Sequence, residues 1–111
     1  MTFIKWEDFE KVDIRLGTVI EVRPFPNARK PAYQLTIDFG ALGIRRSSAQ
    51  ITAHYTPEEL EGQQVVAVVN FPPKQIANFF SECLVLGVYD ANQEVVLLKP
   101  AHPAPNGSKI G

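Results

Sequence analysis

The chain has 111 residues, 45% of them hydrophobic and 21% charged, a mix that argues against disorder and suits one domain around one core. The formal net charge of −1 conceals an asymmetry: between residues 14 and 56, Arg15, Arg23, Arg29, Lys30, Arg45 and Arg46 face only Glu21 and Asp38, while both flanks are net acidic. A single cysteine, Cys83, excludes an intrachain disulfide and fits a reducing compartment, and no apolar run approaches the ~20 residues of a membrane span or the length of a signal peptide. A soluble, cytoplasmic protein is the expectation.

In chain order, Thr2 to Lys11 reads as a short amphipathic helix with Phe3, Trp6 and Phe9 three apart. Asp13 to Val22 reads as a strand whose central Gly17 suggests a bulge or bend. Tyr33, Leu35, Ile37 and Phe39 alternate with Gln34, Thr36 and Asp38, the period of a half-buried strand. Ile44 to Ile51 is a more polar strand. Thr56-Pro57-Glu58-Glu59-Leu60 carries an N-cap, a proline at the first helical position and acids in the first turn, and Gly62 ends it. Val65 to Val69 is a fully apolar strand, and Leu84 to Tyr89 and Val95 to Lys99 flank a hairpin connection at residues 90–94.

Between them, Asn70-Phe71-Pro72-Pro73-Lys74-Gln75-Ile76 cannot continue a strand, because adjacent prolines supply no ladder donors. This segment reads as a proline-stiffened loop. If the chain is extended at Phe79 and Phe80, the two rings point to opposite sides, one inward and one toward a partner. Residues 100–107 are proline-rich and read as a tail over the domain surface. About six strands and two short helices, without internal repeats, predict an all-β fold: one small closed or nearly closed barrel of 111 residues.

The titratable side chains form no catalytic constellation that the sequence shows. His54 and His102 have no carboxylate at a spacing that local structure brings close, Cys83 sits in an apolar run, and neither a metal-ligand cluster nor a glycine-rich phosphate loop is present. The expectation is a protein that is not an enzyme and needs no cofactor or metal. Binding is better supported. On a strand, Arg45 and Ser47 share one face and Arg46 and Ser48 the other, so a guanidinium and a hydroxyl can meet a phosphate together. Arg29 and Lys30 lie between Pro26 and Pro31, with Phe25 and Tyr33 close by, and aromatics interleaved with cations suit nucleic acid on a barrel. Ordinary solvated charges are the competing explanation for both groups.

Taken together, Asp13-Ile14-Arg15-Leu16-Gly17, Pro26-Asn27-Ala28, Asp38-Phe39-Gly40, Asn70-Phe71 and Ser81-Glu82 ahead of an apolar strand resemble the stand-alone tRNA-binding domain. The likeness covers roughly residues 6 to 110. Ser47-Ser48-Ala49-Gln50-Ile51-Thr52, the Asn70 to Ile76 phrase and the ending Pro105-Asn106-Gly107-Ser108-Lys109-Ile110-Gly111 are closer still to its branch of CsaA-type, export-related chaperones. Cys83 and Leu84 stand where the family's Ser-Glu-Gly-Met phrase has glycine and methionine.

The resemblance implies an oligonucleotide-binding (OB) barrel and a homodimer built with the N-terminal helix (residues 1–12) and the C-terminal segment (residues 100–111). It also implies binding of tRNA and of unfolded or export-bound preproteins. Arg29, Lys30, Arg45, Arg46, Ser47, Asn70, Lys74 and Ser81 are the candidates for nucleic-acid contact. Phe71, Pro72, Phe79 and Phe80 are candidates for apolar contact with a client peptide. Phe3, Trp6 and Phe9 are candidates for the dimer interface, because they are much apolar surface for a peripheral helix.

Overall fold

The computed structural model describes all 111 residues. Nine strands form: β1 (Ile14–Pro24), β2 (Tyr33–Asp38), β3 (Ile44–Ala49), β4 (Gln64–Val68), β5 (Lys74–Ile76), β6 (Phe79–Ser81), β7 (Leu84–Val85), β8 (Gly87–Tyr89) and β9 (Val95–Leu97). Two short helices, α1 (Trp6–Glu10) and α2 (Pro57–Leu60), complete the chain with one 3-10 turn at Gly40–Leu42. The main sheet has the order β3-β2-β1-β4-β7, and β5-β6 and β8-β9 are separate hairpins. The fold is all-β, a small and nearly closed barrel of the oligonucleotide-binding type.

Strand β1 organises the barrel. Its first half pairs with β4, from Ile14↔Val68 to Thr18↔Gln64, and its second half pairs with β2, from Thr18↔Asp38 to Pro24↔Tyr33. The register slips between Val19 and Glu21, so Ile20 is the extra residue of a β-bulge. That slip accounts for the burial pattern. Gly17 and Val19 point inward, Ile20 is left exposed, and Val22 rather than Glu21 is buried next.

Gly17 itself is not the bulge expected from its sequence position. A Cβ there would lie 2.7 Å from Ile37 Cγ2 and 2.7 Å from the Phe39 ring. The glycine therefore serves close packing, letting two fully buried side chains of the neighbouring strand region cross over β1. Around them, Val19, Val22, Leu35, Ile37, Phe39, Leu60, Val65, Ala67 and Val69 belong to one contiguous core.

The barrel closes between β3 and the segment 81–84 by mixed contacts rather than a regular ladder. Glu82 N donates to Arg46 O at 2.8 Å, and Arg46 N donates to Glu82 Oε1 at 3.0 Å. Ser48 N donates to Ser81 Oγ at 3.1 Å, and Ser47 Oγ donates to Cys83 O at 2.9 Å. The Ser-Glu phrase thus satisfies a strand edge that would otherwise be open to pairing.

Local signals in the sequence worked where they were strong. Glu59 N donates to Thr56 Oγ1 and Thr56 N to Glu59 Oε1, a reciprocal cap. Gly62, at φ +86°, then turns the chain. The N-terminal helix is shorter than Thr2 to Lys11, because Lys5 is extended and its N–H donates to Asp8 Oδ2 at 3.0 Å. Phe3 consequently precedes the helix instead of sharing a face with Trp6 and Phe9. Residues 70–81 are not wholly a loop: β5 and β6 pair as a hairpin, Gln75 opposite Phe80. The tail does more than cover the surface. Leu16 N donates to Ser108 O, Gly107 N to Leu16 O and Ile110 N to Ile14 O, so residues 107–110 pair along the part of β1 that β2 leaves free.

Candidate functional site

One groove gathers residues from four parts of the chain. The turn after β1 brings Lys30 and Pro31, the end of β3 brings Ser48 to Thr52, the β5-β6 hairpin brings Lys74, Ile76 and Ser81, and the β7 to β9 region brings Leu84, Val85, Tyr89 and Gln93 to Val95. Its volume is about 660 Å³, within the roughly 300–1,000 Å³ of ligand-binding clefts. Two lysines and one carboxylate, Glu94, line it. A second, smaller cleft between α2 and β9, lined by Tyr55, Leu60, Val65, Val96 and Leu97, contains none of the sequence-predicted site residues.

The nucleic-acid candidates divide. Lys30 and Lys74 are exposed and converge on the groove. Arg29 is exposed beside Lys30 and does not line the groove itself. Arg46 is exposed, with its guanidinium 4.4 Å from the centre of the Phe79 ring. Arg45 shares the inward face of β3 with Ser47 and donates from Nη1 to Val69 O at 2.6 Å, so it bridges core strands.

Three expected polar contacts are already spent within the fold. Ser47 is 1% exposed and bonded to Cys83 O, out of reach of a phosphate. Ser81 lines the groove, but its hydroxyl accepts from Ser48 N and donates to Cys83 O at 3.4 Å. Asn70 clasps the N-terminal segment, accepting from Asp13 N at 2.9 Å and donating to Lys11 O at 2.8 Å.

The apolar candidates divide as strand alternation requires. Phe79 is 2% exposed and packs on Phe25, ring centres 5.3 Å apart, which removes it from the client-contact set. Phe80 is 53% exposed, and Phe71 and Pro72 are exposed too. At the N-terminus Phe3 and Trp6 are exposed, Trp6 stacks at a tilt on half-buried Phe9, and α1 buries none of its residues.

The aromatics expected to flank the cations turn inward. Phe25 is buried with Phe79, and the Tyr33 hydroxyl donates to Tyr55 O at 2.7 Å. The aromatic actually presented beside Lys30 and Lys74 is Tyr89, which only its place in an alternating Val88-Tyr89 hairpin strand could have flagged. Leu84, which opens an apolar strand run, is also exposed in the groove.

Two titratable sites depart from ordinary values. Burial pushes the Cys83 thiol up to about 11, although a hydrogen bond with Ser47 acts the other way. The Asp90 carboxylate is held below its usual value, first by the backbone N–H of Glu94 and then by His54, whose Nε2 lies 2.7 Å from Oδ2. Tertiary folding therefore supplies the histidine–carboxylate contact absent from the local sequence. It ties the segment before α2 to the hairpin that walls the groove. No helix is long and apolar enough to cross a membrane.

Comparison with known proteins places this geometry. Residues 14–109 match the family model described as "Putative tRNA binding domain". The structure superposes on chaperone CsaA from Bacillus anthracis str. Ames with a TM-score of 0.94 at 55% identity, covering 99% of this chain and 100% of that one. It superposes on the CsaA chaperone protein from Picrophilus torridus with a TM-score of 0.92 at 52% identity, covering 98% and 100%. The methionine–tRNA ligase of Porphyromonas gingivalis is 40% identical over 107 residues, 96% of this chain; the chain spans only 15% of that enzyme's length. With a barrel closed by its Ser-Glu phrase and a likeness to two such proteins that runs over nearly its full length, this chain belongs to the tRNA-binding domain family and, within it, to the CsaA type.

Proposed function

We propose that this chain is a non-enzymatic, homodimeric chaperone of the cytoplasm that holds incompletely folded preproteins and assists their export. The observation that carries this reading is apolar surface left exposed by the chain. Phe3, Ile4 and Trp6 are exposed at the N-terminus, and Phe71, Phe80, Leu84 and Tyr89 are exposed elsewhere. Part of such surface suits a second subunit and part suits apolar segments of a client. Its resemblance to two proteins described as CsaA chaperones supports the reading. Sheltering an apolar segment lowers the concentration of aggregation-prone client, so holding requires no reaction step.

The test is light scattering from a thermally aggregating client, with and without this protein. Scattering suppressed at several-fold molar excess is expected; unchanged scattering removes the chaperone reading. A monomer mass at micromolar concentration would refute the dimer.

A second reading, tRNA binding, is favoured by the two lysines in one groove and by the family match. Lys30 and Lys74 lie in the groove, with Arg29 and Arg46 exposed outside it. Affinity for bulk tRNA should fall with salt, by a log–log slope of about −0.9 per phosphate neutralised on duplex regions. Absence of a gel shift at low salt eliminates this reading.

A further inference from the structure

The chain has three tyrosines, and two of them are engaged. The Tyr33 hydroxyl donates to Tyr55 O at 2.7 Å, and the Tyr55 hydroxyl accepts from Leu97 N at 2.9 Å. Aromatic rings also pair among themselves: Trp6 with Phe9, Phe25 with Phe79, and His54 with Tyr55. Tyr89 belongs to none of these pairs. It is 71% exposed on β8, in the wall of the groove that also holds Lys30 and Lys74.

A free aromatic face beside two cations in a concave site is the combination that holds an unstacked base and its phosphates. We propose that this groove takes an unpaired nucleotide segment of RNA, with a base stacked on Tyr89 and the flanking phosphates on Lys30 and Lys74. The inference rests on the tRNA reading and specifies it: the groove contacts single-stranded nucleotides instead of a duplex face.

The remaining lining residues fit this ligand class. Ser48, Gln50 and Gln93 bring polar groups able to meet base edges or a ribose hydroxyl. Glu94, the one carboxylate, repels phosphate and accepts from a base amino group or a 2′-hydroxyl. The hairpin is held in place by Asp90, which accepts from Asn92 N at 2.8 Å and Glu94 N at 3.0 Å and meets His54 at 2.7 Å. The stacking ring therefore stands on a braced support. A cleft of about 660 Å³ has room for a splayed nucleotide, whereas a duplex keeps its bases paired and stacked away from any such ring.

The test is fluorescence anisotropy on the full chain, with a labelled single-stranded RNA 12-mer, the same strand annealed to its complement, and bulk tRNA. The single strand is expected to bind at least about tenfold tighter than the duplex. Tyr89→Ala should weaken single-strand binding about five- to hundredfold, while Tyr89→Phe, which keeps the ring, should retain it within about twofold. Replacing both Lys30 and Lys74 by alanine should flatten the log–log salt slope by about 1.4, two single-strand contacts.

Thermal melts of both Tyr89 variants check that the hairpin still folds; Tyr89→Ser is the alternative if alanine does not. Tight binding of bulk tRNA that is indifferent to Tyr89→Ala and shows no single-strand preference overturns this inference while leaving the tRNA reading intact. No binding of any RNA at low salt overturns both. Tyr89-dependent binding of a labelled apolar peptide in the same assay, without binding of the single strand, would assign the groove to protein clients and likewise overturn it.

Discussion

Glu82 and Arg46 are bound twice: the Glu82 N–H donates to the Arg46 carbonyl at 2.8 Å, and the Arg46 N–H donates to the Glu82 carboxylate at 3.0 Å. A side chain thereby takes the place of a missing strand residue at the seam of the barrel. Glu82→Ala leaves the Arg46 N–H to water and should cost about 1–2 kcal/mol, read as a lower urea midpoint at unchanged slope. Glu82→Gln keeps an acceptor oxygen and should recover most of that loss. If alanine and glutamine behave alike, the seam does not depend on this bond.

Gly17→Ala is expected to destabilise the fold by about 1–3 kcal/mol through overpacking. The added Cβ would meet Ile37 Cγ2 and the Phe39 ring at 2.7 Å, and both side chains are fully buried with nowhere to retreat. Pairing the substitution with Ile37→Val frees part of that space. A double-mutant cycle showing favourable coupling between the two sites would confirm the clash as the cause.

Neighbouring phenylalanines should behave in opposite ways. Phe79→Ala empties a buried site against Phe25 and should cost about 3–5 kcal/mol in chemical denaturation. Phe80→Ala removes an exposed ring and should change stability by less than about 0.5 kcal/mol. On the chaperone reading, Phe80→Ala reduces suppression of client aggregation although the fold is intact. Undiminished holding by that variant would take Phe80 out of the client surface.

Alkaline pH should act through Cys83. Its thiol is neutral in both states below the ordinary value of 9.0, so its contribution is fully present there. Above 9.0 the unfolded thiol releases its proton, while the folded one holds it up to about 11. Stability is therefore lost as pH rises through that window, by roughly 3 kcal/mol at about 1.4 kcal/mol per unit. Urea midpoints from pH 8 to 11 should fall more steeply for the natural chain than for Cys83→Ala. The same burial predicts that a thiol reagent at neutral pH modifies Cys83 only after denaturant is added.

Alternation carried much of the fold. Leu35, Ile37 and Phe39 are buried as their spacing required, Thr56 caps α2, residues 90–94 turn the last hairpin, and Phe79 and Phe80 part to opposite sides. The bulge lies at Ile20 and not at Gly17, where the sequence suggests it, because a glycine signals permissive backbone and close approach equally well. Only the packing of Ile37 and Phe39 against it distinguishes the two.

What the residues determined by themselves was therefore the local order: strand periods, caps, turns, and the phrases that resemble the tRNA-binding family. Tertiary structure decided which groups remain free to bind. Ser47 and Arg45 share a face of one strand as expected, yet closure of the barrel makes that face the inside. Lys30, Lys74 and Tyr89 share no local pattern, and they line one groove because three separate turns and hairpins surround one end of β3. A two-residue period states that opposite faces differ. Which face meets solvent depends on how the sheet curls back on itself, and that is settled by contacts distant in sequence.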